Sequence, residues 1–186
     1  IEITGVEYFS YAADLPLSAL GSLSRKIKGG LRIKLRAAGG AQFGQLALQD
    51  LRVHFSGNDE VAYKLYERVL GSTVATLVRP LGAGSTAHTA LPGRVVQPVG
   101  FEDDQALLPV HLRGFSGYRL LQEYFAFPQR FLFADLCGVG DALRAHGGTE
   151  AEIVLLFDRG DTALESVVDA GNLALNCVPA INLFER

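Results

Sequence analysis

The chain has 186 residues, 48% hydrophobic and 20% charged, and its 17 Lys and Arg against 20 Asp and Glu leave a net charge of -3. That is enough chain for one good-sized domain or two small ones with a genuine core. It has too little clustered positive charge for a non-specific nucleic-acid binder or a polybasic membrane anchor, and its longest apolar runs, such as residues 153–157, are far too short to cross a bilayer. No signal peptide is visible. The chain opens on Ile1 and stays apolar almost to Phe184, so we expect it to be a piece of something longer.

Residues 1–30 read as an irregular entry with one short helix near residues 17–28. Residues 31–36 alternate strictly between apolar and basic, the pattern of a half-buried strand with one wet, positive face. Three glycines between residues 37 and 44 make a turn. In the extended stretch 45–55 the apolar positions switch from even (Leu46, Leu48) to odd (Leu51, Val53, Phe55), which requires a bulge or break near residues 49–50. Ser56-Gly57-Asn58-Asp59 reads as a capped helix start. Val61, Leu65 and Val69 form the helix's buried stripe and Gly71 its stop, followed by a strand over 72–78. Residues 79–99, with three prolines and three glycines, are expected to link two subdomains, 1–78 and 100–186.

In the second half we expect a helix over 117–125 ended by Pro128, strands over 130–136, 151–157 and 172–177, and a helix carrying Leu164, Val167 and Val168 closed by Gly171. The strand–helix–strand order of 51–78 recurs over 153–178. That echo is either an internal repeat or the commonest way to connect short elements. The fold class is α+β, with mixed or antiparallel sheets and a few short helices.

Catalytic patterns are sparse. His54, His88, His111 and His146 lie far apart in no metal-binding spacing. Cys137 and Cys177 match no zinc or CxxC pattern and are expected as free, partly buried thiols. Ser116 lacks a nucleophile elbow and reads as a helix cap. Gly138-Val139-Gly140 has no third glycine for dinucleotide binding, since position 143 is Leu. Glu102, Asp103 and Asp104 read as a solvated turn or cap. We therefore expect no enzyme, no cofactor and no metal.

Aromatic density is the conspicuous feature. Of six tyrosines and eleven phenylalanines, seven lie between residues 115 and 133: Phe115, Tyr118, Tyr124, Phe125, Phe127, Phe131 and Phe133. Helical spacing puts Leu120, Leu121, Tyr124 and Phe125 on one face and lets Arg119 and Glu123 pair along the wet side. The rings serve either an ordinary core or a core continued into an interface, where Tyr and Phe are enriched. The second reading expects some of them exposed.

Residues 117–128, running Gly-Tyr-Arg-Leu-Leu-Gln-Glu-Tyr-Phe-Ala-Phe-Pro, closely resemble the signature of the TssF family, the baseplate subunit of bacterial type VI secretion systems. Gly30-Leu31-Arg32-Ile33, residues 51–57, Val99-Gly100-Phe101, Ala106-Leu107-Leu108-Pro109 and Phe131-Leu132-Phe133 agree in order. The end of the chain, Asn176-Cys177-Val178-Pro179-Ala180-Ile181-Asn182-Leu183-Phe184, resembles the family's Cys-x-Pro-x-Ile-Asn-Leu-Phe element. The likeness covers most of residues 30–186.

The resemblance implies a cytoplasmic, non-enzymatic scaffold in which two TssF copies join TssG in a wedge carrying TssK around the VgrG spike hub. The assembled baseplate docks at the inner-membrane complex, with no membrane insertion by this subunit and no nucleic acid. Family members are much longer. The motif residues expected to make or support partner contacts are Tyr118, Arg119, Leu120, Leu121, Glu123, Tyr124, Phe125, Phe127, Pro128, Pro179, Asn182 and Phe184. The competing reading is a stand-alone ligand-binding module such as a carbohydrate-binding domain, which predicts a concave pocket lined by polar groups.

Overall fold

A computed structural model describes residues 1–11, 15, 17–82, 87–93, 95–110 and 115–182. Nine strands are present among them: β1 (Glu2–Phe9), β2 (Gly29–Arg36), β3 (Leu51–Phe55), β4 (Thr73–Pro80), β5 (Thr89–Pro92), β6 (Val96–Val99), β7 (Phe133–Leu136), β8 (Glu150–Phe157) and β9 (Leu173–Ala174). The α-helices are α1 (Asp59–Ser72), α2 (Ser116–Ala126), α3 (Val139–His146) and the single turn α4 (Thr162–Glu165). The strands form two antiparallel sheets, a five-stranded one in the order β1-β2-β8-β4-β5 and a four-stranded one in the order β6-β7-β3-β9. The fold is α+β, as expected from the sequence.

Strand β8 occupies the middle of the larger sheet and is buried on both faces. Ile153, Leu155 and Phe157 enter the main core, together with Leu31, Ile33 and Leu35 of β2, Val53 and Phe55 of β3, and Leu65 and Val69 of α1. Val154 and Leu156 point the other way, into a second cluster with Phe9, Leu20, Ala75 and Leu77, packed against Leu23 and Ile27. Burial on both sides explains why β8 reads as an unbroken apolar run while β2 alternates. Each such side chain contributes about 1.5–3 kcal/mol relative to exposure.

Helix α1 begins where the sequence says it should: Asn58 caps it, its side chain accepting a hydrogen bond of 2.9 Å from the Glu60 N–H. Gly71 does not stop it. The helix runs through Gly71 to Ser72, and Thr73 passes directly into β4. The phase slip at residues 49–50 is a break, because only Leu51–Phe55 is strand and the preceding residues turn at Phe43–Gln45.

Other elements differ more. The stretch 79–99 holds the end of β4 and two further strands, β5 pairing with β4 and β6 with β7. The segments 1–78 and 100–186 do not correspond to the two sheets, since β8 lies between β2 and β4, and β3 between β7 and β9. The echoed segments cross the sheets in opposite directions: β3-α1-β4 passes from the smaller to the larger sheet, β8-α4-β9 from the larger to the smaller. The expected helix bearing Leu164, Val167 and Val168 shrinks to one turn, and the strand over 172–177 to two residues.

Helix α3 was not expected. Gly138, at φ 70°, turns the chain out of β7, and Gly140 lets the helix press onto the backbone at Leu48 and Gln49. Gly140 N–H donates to the Gln49 carbonyl at 3.0 Å. A Cβ at this position would overlap the carbonyl oxygens of Leu48 and Gln49, so only glycine fits.

Candidate partner-binding site

Helix α2 is turned opposite to the usual amphipathic arrangement. Its buried residues are Arg119 and Glu123, whereas Phe125 is 81% exposed, Tyr118 69%, and Leu121 and Tyr124 about half. The expected pairing of Arg119 with Glu123 forms, with Arg119 Nη1 3.3 Å from Glu123 Oε2, but on the dry side of the helix and not the wet side. Pro128 ends α2 as expected. It forces Phe127 out of the helical region, to φ -153° and ψ 75°, and starts a 3-10 turn over Pro128–Phe131.

That turn delivers Arg130, whose side chain is fully buried and reaches the Glu123 carboxylate through Nη1. Arg130 Nη2 donates to the Gln105 carbonyl at 2.7 Å, and its guanidinium lies over the Phe131 ring, 4.5 Å from the centroid. Burial, with the positive charge of Arg119 nearby, lowers its pKa from the ordinary guanidinium value. Glu123 Oε1 also accepts the backbone N–H groups of Leu107 and Leu108, at 3.1 and 3.0 Å. Arg119 Nη2 donates to Asp103 at 2.9 Å. The acids at 102–104 thus include a side chain with a specific structural partner, while Glu102 and Asp104 stay exposed.

Two guanidiniums and two carboxylates meet in this node, three of the four nearly inaccessible to water. Around it converge the three segments 99–101, 106–109 and 117–128. Gly100 adopts φ +104° and its N–H donates to the Gln105 side chain at 2.5 Å, folding the 100–108 strap over Arg130. The C-terminal element reaches the same place, because Ile181 borders a small pocket with Leu107, Phe127 and Arg130. Pro179 is half-buried, Asn182 is exposed, and Phe184 lies outside the described residues.

With its charged side held inward, α2 presents apolar groups to solvent. Leu120, Leu121 and Tyr124 line a groove of about 480 Å³ with Phe115, Phe101 and Phe131, and Tyr63 and Tyr66 of α1 form its opposite wall. Phe101 and Phe131 contact each other at 5.1 Å between ring centroids, and Phe115 meets Tyr118 edge to face at 5.7 Å. Burial pushes the Tyr66 phenol up to about 12; burial, with Tyr124 and Asp59 nearby, raises Tyr63 as well. Both hydroxyls stay protonated at physiological pH. Of the seven rings between Phe115 and Phe133, only Phe131 and Phe133 are buried and Phe127 half-buried.

The remaining candidates are scattered. His54 is half-buried against Phe133, with ring centroids 4.4 Å apart. His146 Nε2 pairs with the Thr89 hydroxyl at 2.9 Å, and His111 lies outside the described residues. Cys137 and Cys177 are both free and half-buried. Ser116 is the first residue of α2 and not its cap, a position taken by Phe115 without a side-chain hydrogen bond. Among the described residues no group of three or more His, Cys, Asp or Glu is placed to hold a metal ion, and no helix is long and apolar enough to cross a membrane.

Sequence reasoning missed Arg130, Gln105 and the α1 wall of the groove. Arg130 carries no local signal, since its partners lie on other segments, and Tyr63 and Tyr66 fall outside the Val61, Leu65 and Val69 stripe by which α1 is recognised.

Comparison with known proteins identifies the family. Residues 1–186 match the family described as type VI secretion system, TssF. The type VI secretion system component TssF1 of Pseudomonas aeruginosa is 44% identical over 186 residues, all of this chain and 30% of that protein. A solved TssK-TssF-TssG baseplate subcomplex contains a chain that matches at a TM-score of 0.74 and 23% identity, over 98% of this chain and 31% of its own length, which supports the fold. The chain therefore spans about a third of the length of the relatives it matches. Its family is nonetheless plain: this chain belongs to the type VI secretion system TssF family.

Proposed function

We propose that this segment is a non-enzymatic scaffold of the type VI secretion baseplate, and that the outward face of α2 docks another baseplate protein. The observation that carries this reading is the inverted helix: an apolar face built from Phe115, Tyr118, Leu121, Tyr124 and Phe125 stands in water while charged residues occupy the interior. Exposed apolar surface of this kind marks interaction sites, and aromatic anchors in a groove supply most of an interface's affinity. Membership of the TssF family supports the baseplate setting, and the TssK-TssF-TssG composition of the matched assembly makes TssG and TssK the first partners to test. A second TssF copy and the VgrG spike hub complete the expected neighbours, in a cytoplasmic particle docked at the inner-membrane complex.

The groove also favours a scaffold over an enzyme or a carbohydrate-binding module. Among the described residues its lining offers three phenols and no carboxylate, imidazole or thiol, hence no general acid or base suited to neutral pH. A sugar site needs converging polar groups, and among the described residues this lining supplies three tyrosine hydroxyls as its polar side-chain groups.

The test uses the full-length protein co-expressed with TssG and TssK. Leu121→Glu combined with Phe125→Glu should leave the melting temperature nearly unchanged, because both residues are exposed, and reduce recovery of the partners by roughly tenfold or more. Undiminished recovery would remove the α2 face from the interface.

A further inference from the structure

We propose that Glu123 is a positioning residue for this face: the buried charge node fixes the rotation of α2 about its own axis and keeps the apolar side turned outward. The proposal rests on the reading of that side as a docking surface.

Left to its own amphipathicity, a helix with Tyr118, Leu121, Tyr124 and Phe125 along one side turns that side toward the core. Here the opposite side is buried, and what it meets is directional. Glu123 accepts from Leu107 N–H, Leu108 N–H and Arg119 and contacts Arg130; Arg119 continues to Asp103 and Arg130 to the Gln105 carbonyl. Turning α2 by one residue position, about 100°, would carry Glu123 away from Leu107, Leu108 and Arg130, and Arg119 with it away from Asp103. The buried Arg130 would then lose its main counter-charge, and an uncompensated buried charge is among the costliest defects a fold can hold. Only one rotation of the helix satisfies the node.

Stability alone does not account for these residues, since well-packed apolar side chains of similar volume are commonly as stable as a buried ion pair or more so. What the charges add is discrimination between two ways of seating the same helix. The node also shapes the groove's rim, because the strap it holds, residues 100–108, carries Phe101 onto Phe131.

The test places a reporter thiol on the outward face, Leu121→Cys, in the full-length protein. Its rate of maleimide labelling is read peptide by peptide by mass spectrometry, alongside recovery of TssG and TssK. Two variants are compared with the parent: Glu123→Gln, and the apolar triple Arg119→Leu/Glu123→Leu/Arg130→Met. If the node sets the rotation, the triple variant folds, the reporter thiol at position 121 labels roughly tenfold more slowly as the apolar side turns inward, and partner recovery falls with it. Glu123→Gln should also slow labelling, whereas a merely stabilising Glu123 predicts the reverse, faster labelling of a looser protein. Labelling at the parental rate or faster in the folded variants overturns the proposal, as does failure of both variants to fold. Slower labelling with full partner recovery upholds the positioning role and overturns the docking reading alone.

Discussion

Glu152 on β8 and Arg79 on β4 sit directly opposite each other in the larger sheet, with Arg79 Nε donating to Glu152 Oε2 at 2.5 Å. Glu152 is 1% exposed and shares its side of β8 with Val154 and Leu156, so its charge is held where the strand otherwise presents hydrocarbon. A second cation approaches it, Arg32 Nε on β2 at 3.6 Å from Oε1. Removing the carboxylate leaves two guanidiniums facing each other across the space it filled. Glu152→Ala should therefore cost about 3 kcal/mol in denaturant unfolding. Arg52→Ala, which breaks an exposed pair with Asp135, should cost under about 1 kcal/mol. Equal losses would mean that burial does not distinguish the two pairs.

Gly140→Ala tests the seating of α3. The new methyl group would run into the Leu48 and Gln49 carbonyl oxygens, and neither belongs to a side chain that can swing away. We expect a loss of about 3 kcal/mol, read as a lower denaturant midpoint. Gly71→Ala has nothing within 4 Å of the added carbon and lies in a helix, so it should be neutral or stabilising by up to about 1 kcal/mol.

Asn58→Ala removes the cap of α1. The Glu60 N–H loses its side-chain acceptor, and a destabilisation of about 1 kcal/mol should appear in the melting curve. Asn58→Asp should retain the stability, because what the helix start requires is an acceptor oxygen on a short side chain.

His54 gives the fold an acid-sensitive element. Desolvation beside Phe133 lowers its pKa, outweighing a backbone hydrogen bond to Gln129 that raises it. In the unfolded chain the imidazole titrates near 6.5, so between that value and the lowered native one the unfolded state binds more protons. The contribution is thus fully present above about pH 6.5 and is lost as pH falls toward the native pKa. Replacing His54 by Gln should flatten stability against pH in that window, and an unchanged slope would locate the titration elsewhere.

Much of the scaffold was legible because its signals are local. The alternation of β2, the unbroken apolar run of β8, the Asn58 start and the break at residues 49–50 each follow from a few adjacent side chains. Helix α2 and its terminating Pro128 were legible too, and so was the exposure of several rings. The facing of α2 was not. Arg119 and Glu123, four residues apart, look like any surface pair, and what buries them is supplied by Asp103, Gln105, Leu107, Leu108 and Arg130 from outside the helix. Helix α3 escaped notice because glycines at 138 and 140 argue against a helix locally, while the tight approach to Leu48 that requires Gly140 is a tertiary fact. Strands β5 and β6 hid among prolines and glycines because each is an edge strand, where such residues are tolerated.

The interleaving of the sheets constrains the order in which this chain can acquire structure. As it leaves the ribosome, β2 and β4 emerge long before β8, the strand that joins them. Until residue 157 is free, both present bare hydrogen-bonding edges and apolar faces without their native partner, a condition that invites pairing with other nascent chains. A truncation ending before β8 should accordingly yield insoluble material and not a smaller folded unit.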